Sequence, residues 1–385
     1  MAKKKIGWFG IGKLGLPCAE MIVEKGYSVF GYDVDTVVSD SVTVVEHPEQ
    51  AVRGMEFVFV AVQTPHDPAY GGETPITHLD NKDFGLSSVK NVLRTIDRYS
   101  SPDTIIVLIS TVLPGTVRRE FAHLITKGRL IYNPYLIAMG TVKWDMVNPD
   151  MVIVGGNKPN DTDAKKLIKF YKTIMENDPH YNIGTWEEGE ATKIFYNTFI
   201  SARLSLVNMI QDVAQRTGNM NVDVVTNSLS NAGKRITSAA YMKAGMGDGG
   251  PCHPRDNIAL RWLADKLELG YNLFDAIAHS REVQAKHMAT ECLKHGVRIA
   301  LSSTSYKDSV DITTGSYALL VAHYIKEQGG IITDLTDSNL QVILRVHEKD
   351  KIKPTDFTTV LDPWRSYKTK NDTVKVIHYG NTRTS

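Results

Sequence analysis

Residues 6–17 read IGWFGIGKLGLP, and this stretch decides how the first part of the chain folds. Gly10, Gly12 and Gly15 form the pattern G-x-G-x-x-G between an apolar run of strand length and a helical pattern. In such a turn the first glycine permits a sharp bend, the second lets the backbone approach a pyrophosphate, and the third lets helix and strand pack closely. The helix N-terminus then offers free N–H groups to the phosphate. The motif predicts a dinucleotide-binding turn.

A carboxylate follows the next predicted strand. Asp33 comes directly after Gly31 and Tyr32, at the end of a second apolar run. A carboxylate in this place accepts hydrogen bonds from both ribose hydroxyls of adenosine and repels a 2′-phosphate. No basic residue occurs in residues 32–45 to receive such a phosphate. We therefore predict NAD, rather than NADP, as the cofactor.

The order of apolar runs predicts three domains. Residues 1–185 alternate between strands and helical patterns, which is typical of a parallel, doubly wound Rossmann-like sheet. TWEE (185–188) resembles a capping box, and helical periodicity then continues to about Gly218. We expect this long helix to be the spine of an all-helical domain, residues 186–290. Strand–helix alternation returns afterwards and predicts a smaller Rossmann-like α/β domain, residues 291–385.

Composition excludes several classes of protein. The 385 residues are 42% hydrophobic and 23% charged, and their net charge is +1. Neither nucleic acid nor an anionic membrane is an expected partner, because the chain lacks a general basic field. The apolar runs are too short to span a membrane. Three dispersed cysteines do not make a disulfide scaffold, so a reduced, cytoplasmic enzyme is expected, and no metal site is predicted.

GMGDGGPCHPRD (245–256) is the most informative stretch for chemistry. Four glycines precede Cys252, and Pro254 suits the first turn of a following helix. A helix N-terminus, with His253 and Arg255 nearby, favours the nucleophilic thiolate. Beside an NAD site, such a thiol predicts oxidation of an alcohol to an aldehyde, its capture as a thiohemiacetal, a second oxidation to a thioester, and hydrolysis to an acid. Cys18 and Cys292 lie in helical patterns and are predicted to be buried.

A second pair of polar residues lies on the predicted long helix. In EATKIFYNTF (190–199), Lys193 and Asn197 are four residues apart and share one helix face. Apolar neighbours partly desolvate Lys193, which lowers its pKa toward the range useful for proton transfer. A solvated helix face and a catalytic pair are both compatible with this spacing.

Taken together, these motifs resemble the UDP-glucose/GDP-mannose dehydrogenase family over essentially the whole chain. Besides the three stretches already quoted, the resemblance includes VAVQTP (60–65), STVLPGT (110–116), NPYLIAMG (133–140) and SYKDSVD (305–311). It implies an NAD domain, a central helical dimerisation domain and a C-terminal domain that helps to bind a nucleotide sugar. It also implies NAD-dependent four-electron oxidation of a sugar C6 alcohol to a uronic acid, by a homodimer.

The resemblance further implies roles for individual residues. The catalytic set would be Cys252 as nucleophile, Lys193 as general base or oxyanion stabiliser, Asn197 as partner of the same oxygen or water, Asp256 orienting Lys193 or water, and Thr111 near the nicotinamide. Thr64 and Thr111 would contact the cofactor, together with the three glycines and Asp33. The substrate-binding set would be Tyr135, Leu136, Lys193, Asn197, Gly247, Gly249 and Lys307.

Three positions depart from the family pattern. Tyr135 and Met139 stand where relatives carry glutamates in N-P-E-F-L-x-E-G, and Thr314 stands where an arginine is expected. The first glutamate is associated with proton transfer during thioester formation and hydrolysis. A tyrosine does not act unaided as a base near pH 7, so its presence predicts a changed second half-reaction. The missing arginine predicts rebuilt substrate contacts in the last domain.

Four functions remain open at this point. UDP-glucose is the leading substrate, and UDP-N-acetylhexosamine or GDP-mannose is the alternative for the same chemistry. A two-electron β-hydroxyacid dehydrogenase also combines an NAD domain with a lysine and asparagine four apart, but it needs neither the cysteine loop nor a third domain. A non-catalytic nucleotide-sugar-binding relative would explain the lost acids, but not the presence of Cys252, Lys193, Asn197 and Asp256 together.

Overall fold

The computed structural model describes residues 5–65, 80, 83–138, 140–217, 219–238, 244–246, 264–308 and 310–381. The chain divides into two compact units, residues 1–202 and 203–385. The predicted three-domain division stays a prediction, because the boundary between these units falls inside the long helix.

An eight-stranded sheet forms the centre of the first unit. Its strands are β1 (Lys5–Phe9), β2 (Ser28–Tyr32), β3 (Thr43–Val44), β4 (Phe57–Val60), β5 (Ile105–Leu108), β6 (Arg129–Tyr132), β7 (Met151–Gly156) and β8 (His180–Thr185). They lie in the order β3-β2-β1-β4-β5-β6-β7-β8. The order runs outward in both directions from the β1–β4 pair, which is the doubly wound arrangement predicted from the alternation of strands and helices.

One strand pair departs from the predicted all-parallel sheet. β6 and β7 are antiparallel, with Tyr132 opposite Gly155, whereas every other adjacent pair in this sheet is parallel. The chain therefore runs in opposite directions along β6 and β7. The expectation of a wholly parallel sheet was therefore wrong at β7 and β8.

Helices cover both faces of this sheet. They are α1 (Gly15–Glu24), α2 (Ser87–Tyr99), α3 (Val142–Val147) and α4 (Thr162–Tyr171). Two buried apolar clusters result, one containing Trp8, Phe59 and Phe170, and the other containing Phe121 and Tyr132. Because the strands contribute apolar residues to both faces, they read in sequence as continuous apolar runs.

The predicted long helix is present as α5 (Trp186–Thr217). The Thr185 N–H donates to Glu188 Oε2 over 2.9 Å, and the Glu188 N–H donates to Thr185 Oγ1 over 3.3 Å. This reciprocal pair is the predicted capping box. It fixes the first residue of the helix that carries Lys193 and Asn197.

The second unit contains a five-stranded sheet whose strand pairs are all parallel. Its strands are β9 (Arg298–Leu301), β10 (Ile331–Thr333), β11 (Val342–Leu344), β12 (Thr359–Asp362) and β13 (Lys375–His378), in the order β10-β9-β11-β12-β13. The helices described in full in this unit are α6 (Val222–Ser230), α7 (Leu273–Leu293) and α8 (Tyr317–Glu327). This sheet confirms the predicted smaller α/β fold near the C-terminus.

Two of the three cysteines belong to the cores, as predicted. Cys18 lies on α1 and Cys292 on α7, and both are fully buried. Burial raises the pKa of each thiol to about 12. Both thiols are therefore protonated and poorly nucleophilic near neutral pH.

Candidate functional site

The glycine-rich turn lies between β1 and α1. At two of its three glycines, backbone atoms of the protein fill the space that a side chain would need. Gly10 has a φ of +87°, and a Cβ there would lie 2.7 Å from the Ala61 carbonyl oxygen. At Gly15 a Cβ would lie 1.8 Å from the Gly10 carbonyl oxygen. Neither position accommodates a side chain, because backbone atoms occupy the space.

Gly12 is different, because a Cβ there would meet nothing within 4 Å. The backbone at Gly12 is thus accessible from outside, in front of the first turn of α1. An accessible backbone beside a helix N-terminus suits a pyrophosphate group. The turn therefore fits NAD, which Gly10, Gly12 and Gly15 would hold.

Asp33 lies beside this turn, just beyond β2. Its Oδ2 accepts a hydrogen bond of 2.8 Å from the Ile11 N–H, and its Oδ1 accepts one of 3.2 Å from the Asp35 N–H. These bonds fix the half-buried carboxylate at the edge of the glycine-rich turn. This is where a carboxylate must lie if it is to receive the adenosine ribose.

Thr64 and Thr111 meet beyond the carboxyl ends of β4 and β5. The Thr64 hydroxyl donates to the Thr111 carbonyl oxygen over 2.9 Å. Next to it, the Ser110 hydroxyl donates to the Val62 carbonyl oxygen over 2.5 Å. In open α/β sheets, ligands bind outside the carboxyl ends of the strands, so both predicted cofactor contacts lie at the appropriate edge.

The Tyr135 hydroxyl points into the first unit and takes part in a chain of polar groups. It shares a hydrogen bond of 2.9 Å with the Tyr171 hydroxyl, which donates to Asn133 Oδ1, and the Asn133 amide donates to the Ile153 carbonyl oxygen over 2.7 Å. Burial raises the pKa of Tyr135 well above its usual value. The Tyr135 hydroxyl is therefore no base near neutral pH.

Lys193 and Asn197 lie on α5, one turn apart. Lys193 is half-buried, and desolvation lowers the pKa of its ammonium group. Asn197 is exposed. The predicted partial desolvation of Lys193 is present, and it favours the neutral amine that general base catalysis requires.

Glu190 is a residue of this region that the sequence analysis did not identify. Its side chain is fully buried, and its two oxygens accept hydrogen bonds of 2.6 Å from the N–H groups of Gly115 and Val117. Burial raises the pKa of Glu190 to about 7, although the two N–H donors oppose the shift. Its only sequence signal is its position three residues before Lys193, which does not distinguish it from a solvated acid.

The remaining predicted residues are not all described. Leu136 is half-buried in the segment after β6, Lys307 is exposed in the loop after β9, and Thr314 is exposed before α8. Those that lie outside the described residues are Cys252, Asp256, Gly247, Gly249 and Met139. In the part of the chain that is described, no group of three or more His, Cys, Asp or Glu residues is arranged to hold a metal ion, and no helix is long and apolar enough to cross a membrane.

The fold and the glycine-rich turn define a dinucleotide-binding protein. Two sequence matches then specify its family: residues 36–175 match the NAD binding domain of the UDP-glucose/GDP-mannose dehydrogenase family, and residues 187–282 match its central domain. The chain belongs to this family and is an NAD-dependent oxidoreductase.

Two relatives agree with this placement. The chain is 23% identical over 341 residues to the UDP-glucose 6-dehydrogenase of Rickettsia prowazekii, a match covering 83% of this chain and 74% of the relative. It is 25% identical over 386 residues to the GDP-mannose 6-dehydrogenase of Pseudomonas putida, which covers 90% and 83% of the two chains.

A solved structure shows the same fold. The ternary complex of GDP-mannose dehydrogenase from Pseudomonas aeruginosa superposes with a TM-score of 0.82, over 96% of this chain and 99% of that one. The two sequences are 19% identical in this comparison. At that identity the likeness concerns the fold.

Proposed function

We propose that this protein oxidises the C6 alcohol of a nucleotide sugar, UDP-glucose, to the carboxylate. The observation that carries the proposal is the half-buried Lys193, with its lowered pKa, on the helix that follows the NAD-binding sheet. The family membership and the names of the relatives support the nucleotide-sugar class of substrate. The cysteine segment 245–256 supports oxidation beyond the aldehyde.

NAD, when bound, accepts a hydride in each of the two oxidations. Lys193 takes the proton of the C6 hydroxyl as the aldehyde forms, and Asn197 donates a hydrogen bond to the same oxygen. The Cys252 thiolate then adds to the aldehyde carbon, and the resulting thiohemiacetal is oxidised to a thioester. Water releases the carboxylate and restores the thiol. In total, one alcohol, two NAD⁺ and one water give one carboxylate, two NADH and three protons.

Substrate and stoichiometry are tested in one experiment. The purified protein is mixed with NAD and, separately, with UDP-glucose, UDP-N-acetylglucosamine and GDP-mannose, while NADH and product mass are followed. We expect two NADH per UDP-glucose and a UDP-uronate product. GDP-mannose is the second candidate, because the relative named for that sugar aligns over 90% of this chain. No turnover with any of the sugars would contradict the proposal.

NAD is expected to be preferred over NADP by at least about tenfold in kcat/KM, which corresponds to roughly 1.4 kcal/mol. The reason is that the Asp33 carboxylate, fixed by the Ile11 N–H, would face the 2′-phosphate of NADP. Asp33→Asn keeps the shape of the side chain and removes its charge. It should therefore reduce the ratio of kcat/KM with NAD to kcat/KM with NADP. Asp35→Asn removes an exposed carboxylate two residues away and is the control. Equal turnover with both cofactors by the unaltered protein would rule out this role of Asp33.

We also propose that the protein is a homodimer that pairs through α5. Phe195, Phe199 and Leu206 are exposed on this helix, and their spacing of four and seven residues places them on one face. Burying such a face against a second copy removes apolar surface from water.

Leu206→Glu is expected to convert the dimer into a monomer, because it places a charge in that apolar face. Light scattering should give twice the 42.8 kDa chain mass for the unaltered protein and the single mass for the variant. Val224→Glu, at an exposed valine of α6, is the matched control. A monomeric unaltered protein would exclude this proposal.

A further inference from the structure

We propose that Glu190 is a positioning residue, which fixes the loop bearing Thr111 to the helix bearing Lys193. The inference rests on the proposed function, in which Thr111 and Lys193 act in the same reaction. Its basis is the pair of 2.6 Å hydrogen bonds that the Glu190 carboxylate accepts from the N–H groups of Gly115 and Val117. Each oxygen receives one donor, and the side chain is fully buried.

These contacts connect elements far apart in the sequence. Residues 109–116, here called the Thr111 loop, follow β5, and the Thr111 carbonyl oxygen accepts a hydrogen bond from Thr64 in the loop after β4. At its other end, the Thr111 loop is held by Glu190, which lies less than one helical turn before Lys193 on α5. The Thr111 loop is thus fixed both to the cofactor edge of the sheet and to α5.

The carboxylate form is essential to this arrangement. An ionised carboxyl group only accepts hydrogen bonds, whereas a protonated one turns one oxygen into a donor. Protonation therefore removes one of the two contacts to the N–H groups of Gly115 and Val117. Burial raises the pKa of Glu190 to about 7, so the second contact forms as the pH rises through that value.

The charged and titratable groups around Glu190 lie on α5, on the segment after the Thr111 loop and on β6. Glu187 on α5 raises the pKa of Glu190, and Arg119, after the Thr111 loop, lowers it. The Glu190 charge contributes to the raised pKa of Arg118, whose guanidinium pairs with Glu187. Burial and then the Glu190 charge raise the pKa of Tyr132. Burial of Glu190 remains the largest of the influences on its pKa.

Two matched variants on α5 test the proposal. Glu190→Gln keeps the size of the side chain but leaves only one acceptor oxygen for two N–H donors. Glu187→Gln removes the partly exposed ion pair with Arg118, which directly follows Val117, and leaves Glu190 unchanged. Pairs of this kind contribute little to stability. The measurements are kcat and KM with NAD and UDP-glucose, together with the amide NMR signals of Gly115 and Val117 from pH 5.5 to 8.5.

We expect Glu190→Gln to lower kcat by about 10²-fold, the scale of a small misplacement of reacting groups. The KM for NAD should stay within about threefold, and Glu187→Gln should retain kcat within about twofold. In the unaltered protein, the two amide signals should titrate together with a midpoint near pH 7. In Glu187→Gln they should still titrate together, but with a lower midpoint, because a charge that raises the pKa of Glu190 has been removed. In Glu190→Gln this titration should be absent.

The NMR arm needs neither substrate nor a variant. It therefore separates the two proposals: absence of turnover in the unaltered protein would contradict the proposed function, while the titration still tests the contact. A kcat for Glu190→Gln within twofold of that for Glu187→Gln would overturn the positioning role. Gly115 and Val117 signals that do not move together in the unaltered protein would overturn it as well.

Discussion

Cys252→Ala is expected to abolish formation of the uronate, whereas the unaltered protein yields two NADH per sugar. Without the thiol, the aldehyde has no group on which to become a thiohemiacetal and then a thioester. At most one NADH per sugar should then form. Product mass and NADH are measured together, with UDP-glucose as substrate. A full yield of uronate from Cys252→Ala would refute the proposed mechanism.

Cys18→Ala and Cys292→Ala are the matched controls for this experiment. Both thiols are buried, and their pKa values of about 12 keep them protonated. Uronate formation should survive each substitution. Cys252→Ser adds a further comparison, because an alkoxide leaves less readily than a thiolate and a stable ester should therefore accumulate.

The adduct on Cys252 should also accumulate in the unaltered protein. Tyr135 stands where the resemblance to the family implies a glutamate, and its hydroxyl shares a hydrogen bond with Tyr171. Hydrolysis of the thioester therefore lacks that acid and should be slow and pH-dependent. Intact mass after mixing with UDP-glucose and NAD reports the adduct. If the reaction stops at the aldehyde with one NADH, the protein is instead a two-electron dehydrogenase.

Lys193→Ala is expected to lower kcat by about 10²–10⁴-fold, the range for loss of a general base or of an oxyanion contact. Binding of NAD, measured by titration, should change little. Because desolvation lowers the pKa of Lys193, the unaltered enzyme should gain activity as the pH rises and the ammonium loses its proton. That gain should be lost in the variant.

The control for Lys193→Ala is Lys165→Ala, which removes an exposed lysine from α4. It should leave both kcat and the pH profile unchanged. Unaltered turnover by Lys193→Ala would mean that this lysine belongs to a solvated helix face, the alternative that its spacing left open.

Local signals predicted much of the fold. The capping box of Thr185 and Glu188 defines the start of α5, and the glycine pattern identifies the turn between β1 and α1. Both depend on residues close together in the sequence. The reversed direction of β7 was not predictable in this way, because a buried apolar run reads the same in a parallel and an antiparallel strand.

In the candidate site, too, residues that belong to a local sequence pattern were predictable, and residues placed by packing were not. Asp33 was identifiable, because its place after β2 follows from the dinucleotide-binding pattern. Glu190 was not, because an acid on a helix is normally solvated and only the packed structure shows that Gly115 and Val117 donate to it. The inward direction of the Tyr135 hydroxyl likewise depends on Tyr171, which lies at the end of α4 and far from Tyr135 in the sequence.

The three glycines of the turn are constrained in two different ways. At Gly10 and Gly15 the protein's own backbone excludes a side chain, so a substitution there is selected against whenever the chain folds. At Gly12 the space is open, so the constraint there would come from the bound dinucleotide that the turn fits. A descendant that no longer bound NAD could replace Gly12 first. It would still need Gly10 and Gly15, because the fold itself requires them.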